Sequence, residues 1–261
     1  LNTFIDMEYG GPDQFLLNTL LRFPSAPGED GEYGNVIHGT LEWLQRRAED
    51  SKPADLPAIL QEFDKQLAKR YISTARMDDF RNRGHHALKA YIPARADMFA
   101  RTAKPEVDFK REGVVLGNTA HLAGKIDRLE IDKANKTVNI VDFKTGKPHD
   151  KWERSVKLLK YKQQLYFYKF LIEGSHPWSG YTVKEARLEF VEPGTDGKIL
   201  PPLQISFDAE DKSSQALTTE QETKDLIQAV WKLIKSLDLP IIGNYSDDFK
   251  GSKYFIEELL R

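Results

Sequence analysis

Apolar residues along this chain recur with two different periods. From Asn35 onward they return every three or four positions, as on one face of a helix. Asn35 is placed to cap a helix whose stripe is Ile37, Leu41, Leu44 and Ala48. Pro53 to Arg70 repeats the pattern with Leu56, Leu60, Phe63 and Leu67. Arg76 to Ala100 does so less cleanly, with Gly84 and Pro93 as expected kinks or breaks. The segment Pro24 to Gly34, carrying Pro27, Gly28, Gly31 and Gly34, reads as a loop.

Near Pro105 the pattern becomes strand-like. Val107 to Phe109, Val114 to Leu116, His121 to Ile131 and Thr137 to Phe143 read as consecutive strands. A turn at Asp132 to Lys136 joins the last two into an antiparallel meander. A helix over Lys157 to Glu173, strands near Ala186 to Val191 and Leu203 to Phe207, and a helix over Thr219 to Leu237 complete the reading. The expected fold class is α+β: a helical segment over 1–104, then a sheet flanked by helices over 105–261. No internal repeat or low-complexity tract interrupts it.

Composition narrows the functions. With 40% hydrophobic and 30% charged residues in 261, the chain is of the folded class and long enough for a substantial core. A net charge of -2 means that any polyanion must be met by locally concentrated basic residues. No cysteine is present, which excludes disulfides, thiolate zinc sites, cysteine nucleophiles and cysteine-ligated iron–sulfur clusters. A reducing, cytoplasmic setting is compatible with that composition. No apolar run approaches the roughly 20 residues that cross a bilayer, so no membrane partner is expected. The chain starts at Leu1, in sequence that already looks structured, as a domain cut from a larger protein would.

The chemistry-bearing residues lie in short segments. Asp142 directly follows Val138-Asn139-Ile140-Val141, and a carboxylate ending an apolar strand is costly unless paired or metal-bound. Alone, Asp142 is better read as a cap on the Thr145-Gly146 turn. Asp127, on the preceding strand, changes that balance. The hairpin brings the two aspartates close, and two close carboxylates repel unless a cation lies between them. Lys144 shares a strand face with Asp142, suited to orient or deprotonate a water and to stabilise phosphoryl charge. Oxygen donors with a histidine fit Mg²⁺ or Mn²⁺ better than zinc. His38 lies one residue from its helical stripe with Glu42 at i+4, a place more often structural than ligating. The remaining histidines (His85, His86, His121, His149, His176) have no usable spacing.

A run of Lys147, Lys151, Arg154, Lys157, Lys160 and Lys162 follows Lys144, opposed only by Asp150 and Glu153. It suits a phosphate backbone, though charge runs are usually solvated helix faces. Gln164 and Tyr168 share one helix face, where they either contact a ligand or anchor the helix to the sheet.

Four motifs in order resemble the RecB-like branch of the PD-(D/E)XK nuclease superfamily. Gly34-Asn35-Val36-Ile37-His38 is similar to its helical histidine motif, Gly124-Lys125-Ile126-Asp127-Arg128 to G-x-x-D-R. Asp142-Phe143-Lys144-Thr145-Gly146 resembles D-x-K-T-G, and Gln164 to Tyr168 resembles Q-x-x-x-Y. The resemblance implies a restriction-endonuclease-like core with a central mixed sheet. It implies that His38, Asp127, Asp142 and the Phe143 backbone carbonyl bind Mg²⁺ or Mn²⁺. Lys144, with Asp142 and Asp127, would be catalytic, and Gln164 and Tyr168 would position DNA, with Lys157 and Lys160 alongside. The opening, Leu1 to Phe4 through Phe23-Pro24, resembles the lead-in where such domains end UvrD-like superfamily 1 helicases. The expected activity is that of an exonuclease on single-stranded DNA ends, in a helicase-nuclease of DNA repair or recombination. No P-loop motor sequence is present in the chain, and its tail, Phe249 to Leu260, lacks the cysteines of iron–sulfur relatives. The competing readings are a non-catalytic DNA-binding module of a helicase and a structural protein–protein domain.

Overall fold

The computed structural model describes residues 1–24, 28–99, 102–207, 217–243 and 245–261. Pro27 and Ala100, assigned above to a loop and a helix end, lie outside the described residues. The elements are α1 (Gly11–Phe15), α2 (Glu29–Glu49), α3 (Leu56–Leu67), α4 (Thr74–Ala94), α5 (Ala96–Phe99), β1 (Ala103–Asp108), β2 (Val115–Leu116), β3 (Ala120–His121), β4 (Lys125–Asp132), β5 (Thr137–Lys144), α6 (Val156–Glu173), β6 (Thr182–Phe190), β7 (Leu203–Ser206), α7 (Glu220–Ser236) and α8 (Phe249–Leu259).

Five strands form one mixed sheet in the order β1-β4-β5-β6-β7, and β2 and β3 form a separate small hairpin. β4 and β5 pair antiparallel from Asp132↔Thr137 to Arg128↔Val141, around the expected turn. β6 joins β5 in parallel, because α6 carries the chain back across the sheet before it starts. The architecture is α+β, a sheet covered by helices on both faces.

Alternation along β5 assigns its residues to two cores. Val138 and Ile140 enter the cluster shared with Leu158, Leu165 and Leu171 of α6. Val141 and Phe143 point the other way, into the cluster of Ile37 and Leu41 of α2, Phe63 of α3 and Tyr91 of α4. The helical first part of the chain divides between these cores. Phe4, Ile5 and Phe15 pack under α8, where Phe4 stacks on Phe255 at 6.4 Å.

Three details differ from the sequence expectation. α2 begins at Glu29, so Gly31 and Gly34 are helical and Asn35 is interior rather than a cap. Glu29, Asp30 and Glu32 suit the positive end of the helix dipole, and two are fixed by α4. Ser73 donates its backbone N–H to Glu29 at 2.6 Å, and Arg76 pairs with Asp30 at 3.0 Å. α4 runs straight through Gly84, where the Phe63 ring occupies the space a side chain would take. Pro93 does close that helix, one residue later. Finally, the strand expected over His121 to Ile131 is interrupted between β3 and β4.

Candidate active site

The site forms where β4 and β5 run out together beneath α2. Continuing their register places Asp127 opposite Asp142. The ladder does not continue there through backbone alone, because the Phe143 N–H donates to Asp127 Oδ2 at 2.8 Å. That bond aims the other Asp127 oxygen at α2, where His38 Nδ1 lies 3.3 Å from Oδ1. His38 also sets its ring edge-on to Phe143, 6.1 Å between centroids.

Electrostatics lock the His38–Asp127 pair together. Burial disfavours the imidazolium, but the hydrogen bond and charge of Asp127 outweigh it and raise the His38 pKa. For Asp127, burial pushes upward, and His38 and the Phe143 N–H more than offset it, so the carboxyl falls below its usual range. A cation entering here competes with the imidazole proton.

Asp142 and Lys144 share the α6 side of β5, as their spacing predicts, close enough that the Lys144 charge acts on both His38 and Asp127. Four polar contacts close a ring. Lys144 Nζ lies 2.7 Å from Asp142 Oδ2 and donates to Gln164 Oε1 at 2.8 Å. Gln164 Nε2 donates to the Tyr168 hydroxyl at 2.6 Å, which donates to Asp142 Oδ1 at 3.1 Å. Burial raises the Asp142 pKa despite the Lys144 charge, while the Asp142 charge outweighs burial at Lys144 and raises that pKa. Lys144 therefore stays a cation, suited to stabilising anionic oxygens.

The expected metal donors thus fall into two groups joined by the Phe143 backbone. Donor atoms of His38, Asp127 and a third residue, Glu106 of β1, lie within 4.8 Å of one another. Asp142 stands outside that group, turned to Lys144 and Tyr168. Sequence reading passed over Glu106; its signal is an acidic residue in β1 facing the G-x-x-D-R aspartate on β4. The donor set fits a hard divalent cation, since it is oxygen-rich with one imidazole. Asp142 Oδ2 is enclosed and is met by the Lys144 ammonium at 2.7 Å.

The basic run is less uniform than its sequence implies. Lys162 is buried, Lys160 is ion-paired to Asp6, and Lys157 approaches the Gly146 turn. Arg128, the last residue of G-x-x-D-R, borders the same small cavity as His38, Glu106 and Asp127 and is 1% exposed. It donates to Gln45 of α2 and to the Met98 carbonyl. Among the other histidines, His85 pairs with Asp64 at 2.9 Å and His121 packs on Trp231, both structural roles.

A carboxylate and a lysine two residues apart at a strand end, with an aspartate on the adjoining strand, make a site suited to metal-dependent hydrolysis. The chain belongs to the PD-(D/E)XK nuclease superfamily, whose sequence profile matches residues 11–246. A comparison with curated proteins finds no match. Among solved structures, a Vibrio cholerae protein, VC1899, is similar over 90% of this chain at 14% identity. The TM-score is 0.25, too low for the likeness to add to the fold assignment, and the chain spans 56% of that protein's length.

Proposed function

We propose that this domain hydrolyses DNA phosphodiester bonds with Mg²⁺ or Mn²⁺, as an exonuclease of the RecB-like branch acting on single-stranded ends beside a superfamily 1 helicase. The observation that carries the hydrolytic reading is the closed ring Asp142–Lys144–Gln164–Tyr168 set against the His38–Asp127 pair. A purely structural strand end has no use for an ammonium and a carboxylate enclosed together, at the desolvation cost that entails.

His38, Asp127, Asp142 and the Phe143 carbonyl would hold the cation. Bound there, the cation supplies Lewis acidity, an activated water and charge neutralisation at the leaving oxygen. Lys144 places its ammonium against non-bridging phosphate oxygens and orients the attacking water. Gln164 and Tyr168 fix Lys144 and Asp142 in register and border the path of the strand. Lys157 and Lys160 meet the phosphate backbone, Lys160 by exchanging Asp6 for a phosphate.

The test compares wild type with Lys144→Ala on end-labelled single-stranded DNA with Mg²⁺. Cleavage should fall about 10²–10³-fold, the usual loss of one preorganised electrostatic group, with DNA binding retained. Wild-type protein that binds DNA without cutting it would leave the non-catalytic binding module as the correct reading. Binding that does not weaken as salt rises excludes a phosphate-directed site altogether.

A further inference from the structure

Glu106 occupies an unusual backbone position. β1 pairs with β4 at Pro105↔Arg128 and again at Val107↔Ile126, which leaves Glu106 facing Asp127 between them. There Glu106 takes φ +53, the left-handed region that a non-glycine residue rarely adopts, least of all within a strand. The distortion turns its carboxylate into the site, into the cluster with His38 and Asp127. A cavity of about 10 Å³ borders all three, room for one water-sized particle. Glu106 is 10% exposed, and its ion-pair partner is Lys125, half exposed and two residues before Asp127.

We propose that Glu106 is a further ligand of the catalytic cation, and that Lys125 holds its carboxylate until the cation arrives. The inference rests on the metal-dependent reading above. Two facing carboxylates, Glu106 and Asp127, need positive charge between or beside them. In the structure His38 serves one and Lys125 the other. A divalent cation serves both at once and frees Lys125. The ammonium has somewhere to go, because Lys125 also lines a cavity of about 310 Å³ with Gln164 and Tyr168. Loading of metal and presentation of a positive charge to the substrate strand are then one event.

Calorimetric titration with Mn²⁺ alone, supported by the Mn²⁺ electron paramagnetic resonance signal, tests this without any turnover. Glu106→Gln should weaken Mn²⁺ binding about tenfold or more, on the scale seen when metal-site partners are lost. Lys125→Met should tighten it by up to about fivefold, the worth of a half-exposed ion pair. Should Glu106→Gln fail to fold, Glu106→Asp keeps a charge and tolerates the left-handed backbone. Its shorter reach should still weaken binding. Unchanged affinity in the Glu106 variants overturns the ligand role, and weaker binding in Lys125→Met overturns the exchange. Wild type that takes up no Mn²⁺, like Asp127→Asn, brings down the hydrolase reading itself; wild-type binding indifferent to Glu106 brings down this inference alone.

Discussion

Replacing Arg128 by Met keeps most of the side chain's volume and removes its hydrogen bonds. Arg128 is enclosed, with Phe99 5.6 Å from its guanidinium and Glu130 at 3.6 Å. Two acceptors lose their donor: Gln45 Oε1, itself buried, and the Met98 carbonyl. Each unsatisfied acceptor costs about 1–3 kcal/mol. Glu130 stays paired, because Arg187 holds it through two bonds of 2.7 and 3.1 Å. Arg128 Nε is already without a partner, so its removal recovers some desolvation cost. The net loss is about 2–4 kcal/mol, which for a chain of this size lowers Tm by roughly 5–15 °C. Calorimetry and urea titration measure it. Arg128→Lys, with charge but no fork, should recover at most half. A loss under about 1 kcal/mol with an unchanged urea slope refutes the view that Arg128 ties β4 to α2.

Gly84→Ala places a methyl carbon 2.0 Å from Phe63 Cζ, deep in the helical core. Overpacking of that kind costs about 1–3 kcal/mol, more than the roughly 1 kcal/mol that alanine adds in helix propensity. The variant should melt below wild type, and an equal or higher Tm contradicts the packing described. Arg83 donates to the Thr145 carbonyl at 2.7 Å and to Glu192 at 2.9 Å, bracing the turn after Lys144. Arg83→Ala should lower kcat about tenfold with little change in KM, as expected of an outer support. A change in KM alone would make Arg83 a DNA contact instead.

Most of the sheet can be read from the chain, because period-two alternation and a polar turn specify the β4–β5 hairpin and its register. The same periodicity places Asp142 and Lys144 on one face. What escapes such reading is set by partners far along the chain. The start of α2 looks like a loop because its glycines count against a helix, and the ion pair from Arg76 that favours the helix is 46 residues away. His38 meets Asp127 only through the packing of α2 on β5, where Ile37 and Leu41 share a core with Val141 and Phe143. Glu106 is hidden for another reason. Its left-handed backbone breaks the alternation that pattern reading depends on, so its direction cannot follow from its neighbours.

Gly34, one helical turn before His38, lies so near the Thr145 hydroxyl that an added methyl carbon would stand 3.2 Å from it. A residue without a side chain is what lets the helix and the segment following Lys144 approach this closely. The room between the helix that carries the imidazole and the strand that carries the ammonium is therefore set in part by a single hydrogen atom.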